Sequence, residues 1–127
     1  MSRQVVATPA APSSPLFSQG VRVGSTVYVS GMTGTDVTTM QLAGPSIGEQ
    51  TRQALRNGIA VVEAAGGTVD DVVQVTVLLA HPEDFAGMNE EYARVFVTEP
   101  PARAVVKLGV EIPGVLVSIM MTAHVDR

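Results

Sequence analysis

An α+β fold with the element order β-β-β-α-β-α-β-β is predicted for this 127-residue chain, and three observations predict it. Only two segments carry apolar residues at three- and four-residue intervals behind a helix start signal, one after Ser46 and one after His81. Six other segments are short, rich in β-branched residues and bounded by Gly, Pro, Ser or Asp, as strands are. The last of these places apolar side chains on both of its faces, with Val117, Ile119 and Met121 on one and Leu116 and Met120 on the other. Two helices cannot cover both faces of such a sheet. The expectation is therefore both helices on one face, with the other face packed against a partner subunit.

In chain order, Gln4-Val5-Val6-Ala7 is a short strand, and the Pro/Ser-rich stretch from Thr8 to Pro15 is a link. Phe17 to Val23 and Thr26 to Ser30 form a hairpin about Gly24-Ser25, and Gly31 to Pro45, rich in Gly and Thr without a period, is expected to be a mobile loop. Ser46 and Glu49 have the spacing of a capping box, which opens a helix whose stripe is Ile47, Ala54, Leu55, Ile59, Val62 and Ala65. Gly66-Gly67 stops it, because glycine takes the left-handed conformation without strain. Val72 to Ala80 is almost continuously apolar, as a central strand covered on both faces would be. His81-Pro82-Glu83-Asp84 starts the second helix, with proline in its first turn and two acids at the positive end of its dipole. Phe85, Met88, Tyr92, Val95 and Phe96 make its buried stripe, with the Tyr92 hydroxyl satisfied within the core. Arg103 to Val110 and Val115 to Val125 are the last two strands, parted by a turn at Ile112-Pro113-Gly114.

Residues 1–127 are expected to form one domain, long enough to bury a full core. The formal charge is −4 and the eight Lys and Arg residues are scattered, which argues against a nucleic-acid groove. No stretch has the apolar length of a membrane span, and Met1-Ser2-Arg3-Gln4 lacks the apolar core of a signal peptide, so a cytoplasmic protein is expected. With no cysteine there is no disulfide framework, thiolate nucleophile or sulfur metal site, and with only His81 and His124 a histidine-rich metal site is excluded as the expectation. No metal or cofactor is expected, and neither histidine is assigned any chemistry.

Pro100-Pro101-Ala102-Arg103 carries the strongest chemical signal. The prolines have fixed φ and cannot continue a helix, so they end the preceding element and launch an extended one. Arg103 then stands at the mouth of a strand, where a guanidinium can grip a carboxylate bidentately and stays charged at physiological pH. A plain surface arginine is the alternative. Lys107 falls on the same strand face as Arg103 and is expected at an interface or along a central channel.

Ser18-Gln19-Gly20, Val29-Ser30-Gly31, Gln50 to Asn57, Glu63-Ala64-Ala65-Gly66, Asp84 to Tyr92 and Pro101-Ala102-Arg103 occur in an order and spacing that is specific as a set. With them the chain resembles, nearly end to end, the YjgF/Rid family of reactive-intermediate deaminases, also labelled endoribonuclease L-PSP. The resemblance implies a chorismate-mutase-like fold in which three subunits pack their sheets into a barrel, with a ligand cleft at each interface. It implies that Arg103 holds the carboxylate of a 2-aminoacrylate-type enamine or its imine, assisted by the backbone amide of Val105. Ser30, Asn89 and an aromatic of the first hairpin would line the rest, and a final-strand glutamate would handle water and protons, releasing a 2-keto acid and ammonia.

Two positions depart from that pattern. Phe17 stands where the family carries tyrosine, and Ser118 where it carries the glutamate; Glu111 belongs to a loop before Pro113-Gly114. A hydroxyl is a poor general base, and loss of a positioned acid–base group costs about 10²–10⁴ in rate. Two functions follow. One is a deaminase, with Arg103 and Ser118 as its catalytic positions and with Arg103, Val105, Ser30, Asn89 and Phe17 binding the substrate. The other is a homotrimeric protein that binds a small carboxylate, such as a 2-keto acid, without efficient turnover.

Overall fold

The computed structural model describes residues 2–126, so the two ends of the expected 1–127 domain lie outside the described residues. Eight strands and two α-helices follow one another as β1 (Gln4–Val6), β2 (Gly20–Val23), β3 (Thr26–Thr33), β4 (Thr35–Asp36), β5 (Gln41–Leu42), α1 (Ile47–Ala64), β6 (Val72–Leu79), α2 (Phe85–Val95), β7 (Ala102–Lys107) and β8 (Val117–His124). Six strands form one sheet in the order β1-β2-β3-β8-β6-β7, in which only the β6–β7 pair is parallel. The crossover between β6 and β7 is α2, as a parallel connection requires. The expected α+β order is present, with the short β4–β5 hairpin added to it.

Both helices cover one face. Val27, Val29, Val75, Val77, Val117, Ile119, Met121 and Ala123 point into it and are buried, while their strand neighbours alternate outward. Burying each of these larger aliphatic side chains contributes about 1.5–3 kcal/mol. α1 lies close on β8 because Gly58 has no side chain; a Cβ there would stand 2.6 Å from Met121 Cε. The capping box forms at Ser46 and Glu49, and Gly66, at φ +93°, ends the helix. Glu91 joins the two helices, accepting from Arg52 at 2.9 and 3.2 Å and from Arg94 at 3.2 Å. The Arg52 hydrogen bonds, with the charges of both arginines, hold its carboxyl below the usual glutamate range despite burial.

Several expectations are corrected. β3 runs on to Thr33 through a bulge between Val29 and Met32, and β4–β5 follows, so the stretch from Gly31 to Pro45 is not a bare loop. Side chains from α1 impose that structure. Asn57 donates to the carbonyls of Thr33 and Thr35 at 3.0 and 2.9 Å, and Gln50 donates to Gly44 at 3.0 Å. Strand β2 begins at Gly20, leaving Phe17 in the preceding loop, and β7 ends at Lys107. Within the single chain the helices cover one face of β6, and Gln74, Thr76 and Leu78 lie on the helix-free side. On β8, Val117, Ile119 and Met121 are covered by the chain's own helices, and of its apolar residues Met120 is the exposed one. Phe85 is exposed and Val95 half-buried, because α2 turns its first residue toward the β7 edge. Among the described residues no helix is long and apolar enough to cross a membrane.

Candidate functional site

β7 is an edge strand, and its register with β6 sorts its side chains. Arg103 lies beside Val75, Val105 beside Val77 and Lys107 beside Leu79, all on the helix face. Ala104 and Val106 point to the other side, beside Thr76 and Leu78. Arg103 thereby meets α2. Its Nη1 donates to Asn89 Oδ1 at 2.7 Å and lies 4.0 Å from Met88 Sδ. Its guanidinium carbon stands 4.7 Å from the centre of the Tyr92 ring and 6.0 Å from that of Phe85.

Among the described residues no carboxylate lies within ion-pair distance of this cation. The ion pairs among the described residues are Arg52–Glu91 and Arg94–Glu91, neither of which involves Arg103. Tyr92 is buried beneath the guanidinium with its hydroxyl unpartnered, which differs from the expected satisfied core tyrosine. Burial pushes that hydroxyl above the usual tyrosine range, against the pull of the Arg103 charge. An exposed, unneutralised guanidinium, oriented by one amide and one aromatic face, is arranged to receive an anion.

Arg103 lines one groove, and a second begins at Val105, two residues further along the strand. One is lined by Asn89, Tyr92, Ala93, Phe96, Pro100 and Pro101. The other, about 430 Å³, is lined by Leu79, Pro82, Phe85, Val105, Val106 and Lys107. Lys107 is exposed on the helix side of the edge strand, two residues beyond Val105.

The other candidate residues gather elsewhere. Ser118 pairs with Thr33 and Leu78 on the helix-free face, half-buried. Gly31 borders it so closely that a Cβ there would stand 3.0 Å from Ser118 Oγ. The Ser30 hydroxyl donates to the Ser18 carbonyl at 2.5 Å and its amide to the Gln19 carbonyl at 2.9 Å, tying β3 to the segment that carries Phe17. That segment is clasped by the buried Gln19, which accepts from the Thr8 amide at 2.7 Å and donates to the Ala11 carbonyl at 2.8 Å. Phe17 itself is exposed. The structure thus brings Arg103, Asn89 and Val105 together, and links Ser30 separately to the Phe17 segment. Arg103 and Ser118 project from opposite faces of one sheet. Sequence reasoning placed Tyr92 in the core and missed its contact with Arg103; the three-residue step from Asn89 to Tyr92 on one helix face was the available signal.

A family model described as Endoribonuclease L-PSP matches residues 8–125. A RutC family protein of Saccharolobus solfataricus is 40% identical over 124 residues, covering 96% of this chain and 98% of the relative. The 2-iminobutanoate/2-iminopropanoate deaminase of Homo sapiens is 41% identical over 103 residues, covering 80% of this chain and 75% of the relative. Among solved structures, RidA of an Antarctic Psychrobacter species superposes with a TM-score of 0.90 at 37% identity, over 96% of this chain and 99% of that one. TdcF of E. coli with bound serine superposes with a TM-score of 0.88 at 30% identity, over 95% and 98%.

Proposed function

The chain belongs to the endoribonuclease L-PSP family, and on that premise we propose that it hydrolyses small 2-imino acids to 2-keto acids and ammonia. The unneutralised Arg103 guanidinium, fixed by Asn89 and Tyr92 at the edge of the sheet, is the observation that carries this reading. Relatives named as 2-iminobutanoate/2-iminopropanoate deaminases support the reaction type, and a relative solved with serine supports a small ligand bearing a carboxylate.

In this reading the substrate carboxylate takes the free edge of the Arg103 fork, assisted by the Val105 amide. Water adds to the imine carbon, the nitrogen gains protons, and the C–N bond breaks to release ammonia and leave the keto oxygen. Holding the imino acid in one orientation supplies part of the rate, since such imines react readily with water. The remaining expected positions, Ser30, Phe17 and Ser118, would complete the cleft from a second copy, because Ser118 and Arg103 of one chain face opposite sides of its sheet. A homotrimer with interface clefts is the assembly proposed.

Ser118 favours a second reading, a protein that binds small keto or imino acids with little turnover, because no carboxylate stands at that position to move protons. One experiment separates the two. With 2-aminoacrylate generated in situ by a dehydratase, the parent should accelerate keto-acid release and Arg103→Lys should lose most of that acceleration, since lysine cannot present the bidentate fork. Ser118→Glu, alone and with Phe17→Tyr, should raise the rate by about tenfold or more if the cleft is arranged for hydrolysis. Keto-acid release at the uncatalysed rate in the parent and in both Ser118 variants would leave the binding reading.

A further inference from the structure

Lys107 is the second cation on the row that carries Arg103. Among the described residues no acidic group comes within ion-pair distance of it, although Glu111 and His81 line a second groove together with it. In a chain of net charge −4, these two cations stand on one face of one edge strand. Their Cα atoms are separated by four strand residues, about 13 Å. Both side chains are long, and the ground between them is apolar: Val105 lies between them on the strand and Phe85 stands over the gap. Phe85 is shared, since its ring centre lies 6.0 Å from the Arg103 guanidinium carbon and it lines the groove that holds Lys107.

A ligand anchored by a carboxylate on Arg103 can extend along that groove, and its far end then reaches an ammonium. An apolar group there would leave the lysine unpaired, whereas a carboxylate would neutralise it within a partly apolar groove, where charge pairing is stronger than in open water. We propose that the site takes 2-imino and 2-keto acids bearing a second carboxylate, with the 2-carboxylate on Arg103 and the distal one on Lys107. The inference rests on the carboxylate-gripping reading of Arg103 and adds the substrate class to it. The alkyl carbons between the two carboxylates lie on Val105 and Phe85, and Leu79 and Pro82 close the groove.

Titration calorimetry with two stable keto analogues, 2-oxobutanoate and 2-oxoglutarate, tests this on the purified protein. The parent should bind 2-oxoglutarate more tightly by about five- to tenfold, the scale of one charge-assisted contact. Lys107→Met, which keeps the apolar stem, should bring the ratio of the two affinities close to one, and Lys107→Arg should keep it above one. A parent without the preference, or a preference that survives in Lys107→Met, overturns the inference. Arg103→Ala reports on the underlying reading: it should weaken both ligands. If it binds 2-oxobutanoate as the parent does, the carboxylate grip itself fails, and the inference with it.

Discussion

The Arg103 guanidinium is held by two physical means at once, and both come from α2. The Asn89 amide oxygen takes one N–H at 2.7 Å, and the Tyr92 ring supports the cation face at 4.7 Å. A cation over an aromatic face gains about 0.5–2 kcal/mol, the more so as water is excluded. The Tyr92 hydroxyl takes no part, being buried without a partner. Tyr92→Phe should therefore bind 2-oxobutanoate as the parent does and unfold at the same temperature or higher, since a buried unsatisfied hydroxyl is removed. Tyr92→Leu keeps an apolar side chain but lacks the π face, and should bind about three- to tenfold more weakly. Calorimetry and thermal unfolding of the two variants check this; equal affinities would show that Asn89 alone orients the arginine.

At the scale of elements, the two helices and the six main strands were legible because each advertises itself locally. Capping signals, a three- and four-residue stripe, and β-branched runs between turn residues need no knowledge of the rest of the fold. The segment after Ser30 was not legible, because its order comes from across the molecule. Gln50, fully buried on α1, donates to the carbonyls of Gly44 and Gly114 at 3.0 and 2.9 Å and accepts from the Leu116 amide at 2.9 Å. An amphipathic reading of α1 counts apolar residues, and so passes over Gln50 and Asn57 on the face that it buries. The meeting of Arg103 with Asn89 was legible through the family resemblance and not from the local pattern, since it exists only once α2 has folded back over the β7 edge. Gln50→Leu should strand two carbonyls and one amide, a loss of about 2–3 kcal/mol. At this chain length the midpoint of thermal unfolding should fall by roughly 10 °C, read by calorimetry. A fall of under two degrees would mean that the Gly44 and Gly114 segments hold their conformation without it.

At the scale of the whole molecule, the sidedness of the sheet decides how a complete cleft can form. Arg103 shares its row with Val75 under the helices, while Ser118 shares its row with Leu78 and Val106 on the bare face. That bare face also carries Tyr28, Met120 and Val106, each about half exposed, an apolar surface of the kind that marks an interface. If the cleft joins Arg103 of one subunit to Ser118 of the next, two defective chains can repair each other. Arg103→Ala removes the grip, and Ser118→Phe fills the other half of the cleft. Neither homotrimer then has an intact site, but every mixed trimer has one, where the Ser118→Phe chain supplies Arg103 and its neighbour supplies Ser118. Random reassortment of equal amounts yields about three quarters mixed trimers, hence about one quarter of the parental sites. Co-expressed and reassorted protein should therefore recover about a quarter of the parental 2-oxobutanoate binding capacity, with light scattering confirming trimers throughout. Recovery requires that the two halves belong to different chains. If the mixture binds no more than its separate components while remaining trimeric, Ser118 lies outside the cleft that Arg103 serves, and the site must be built from the α2–β7 edge alone.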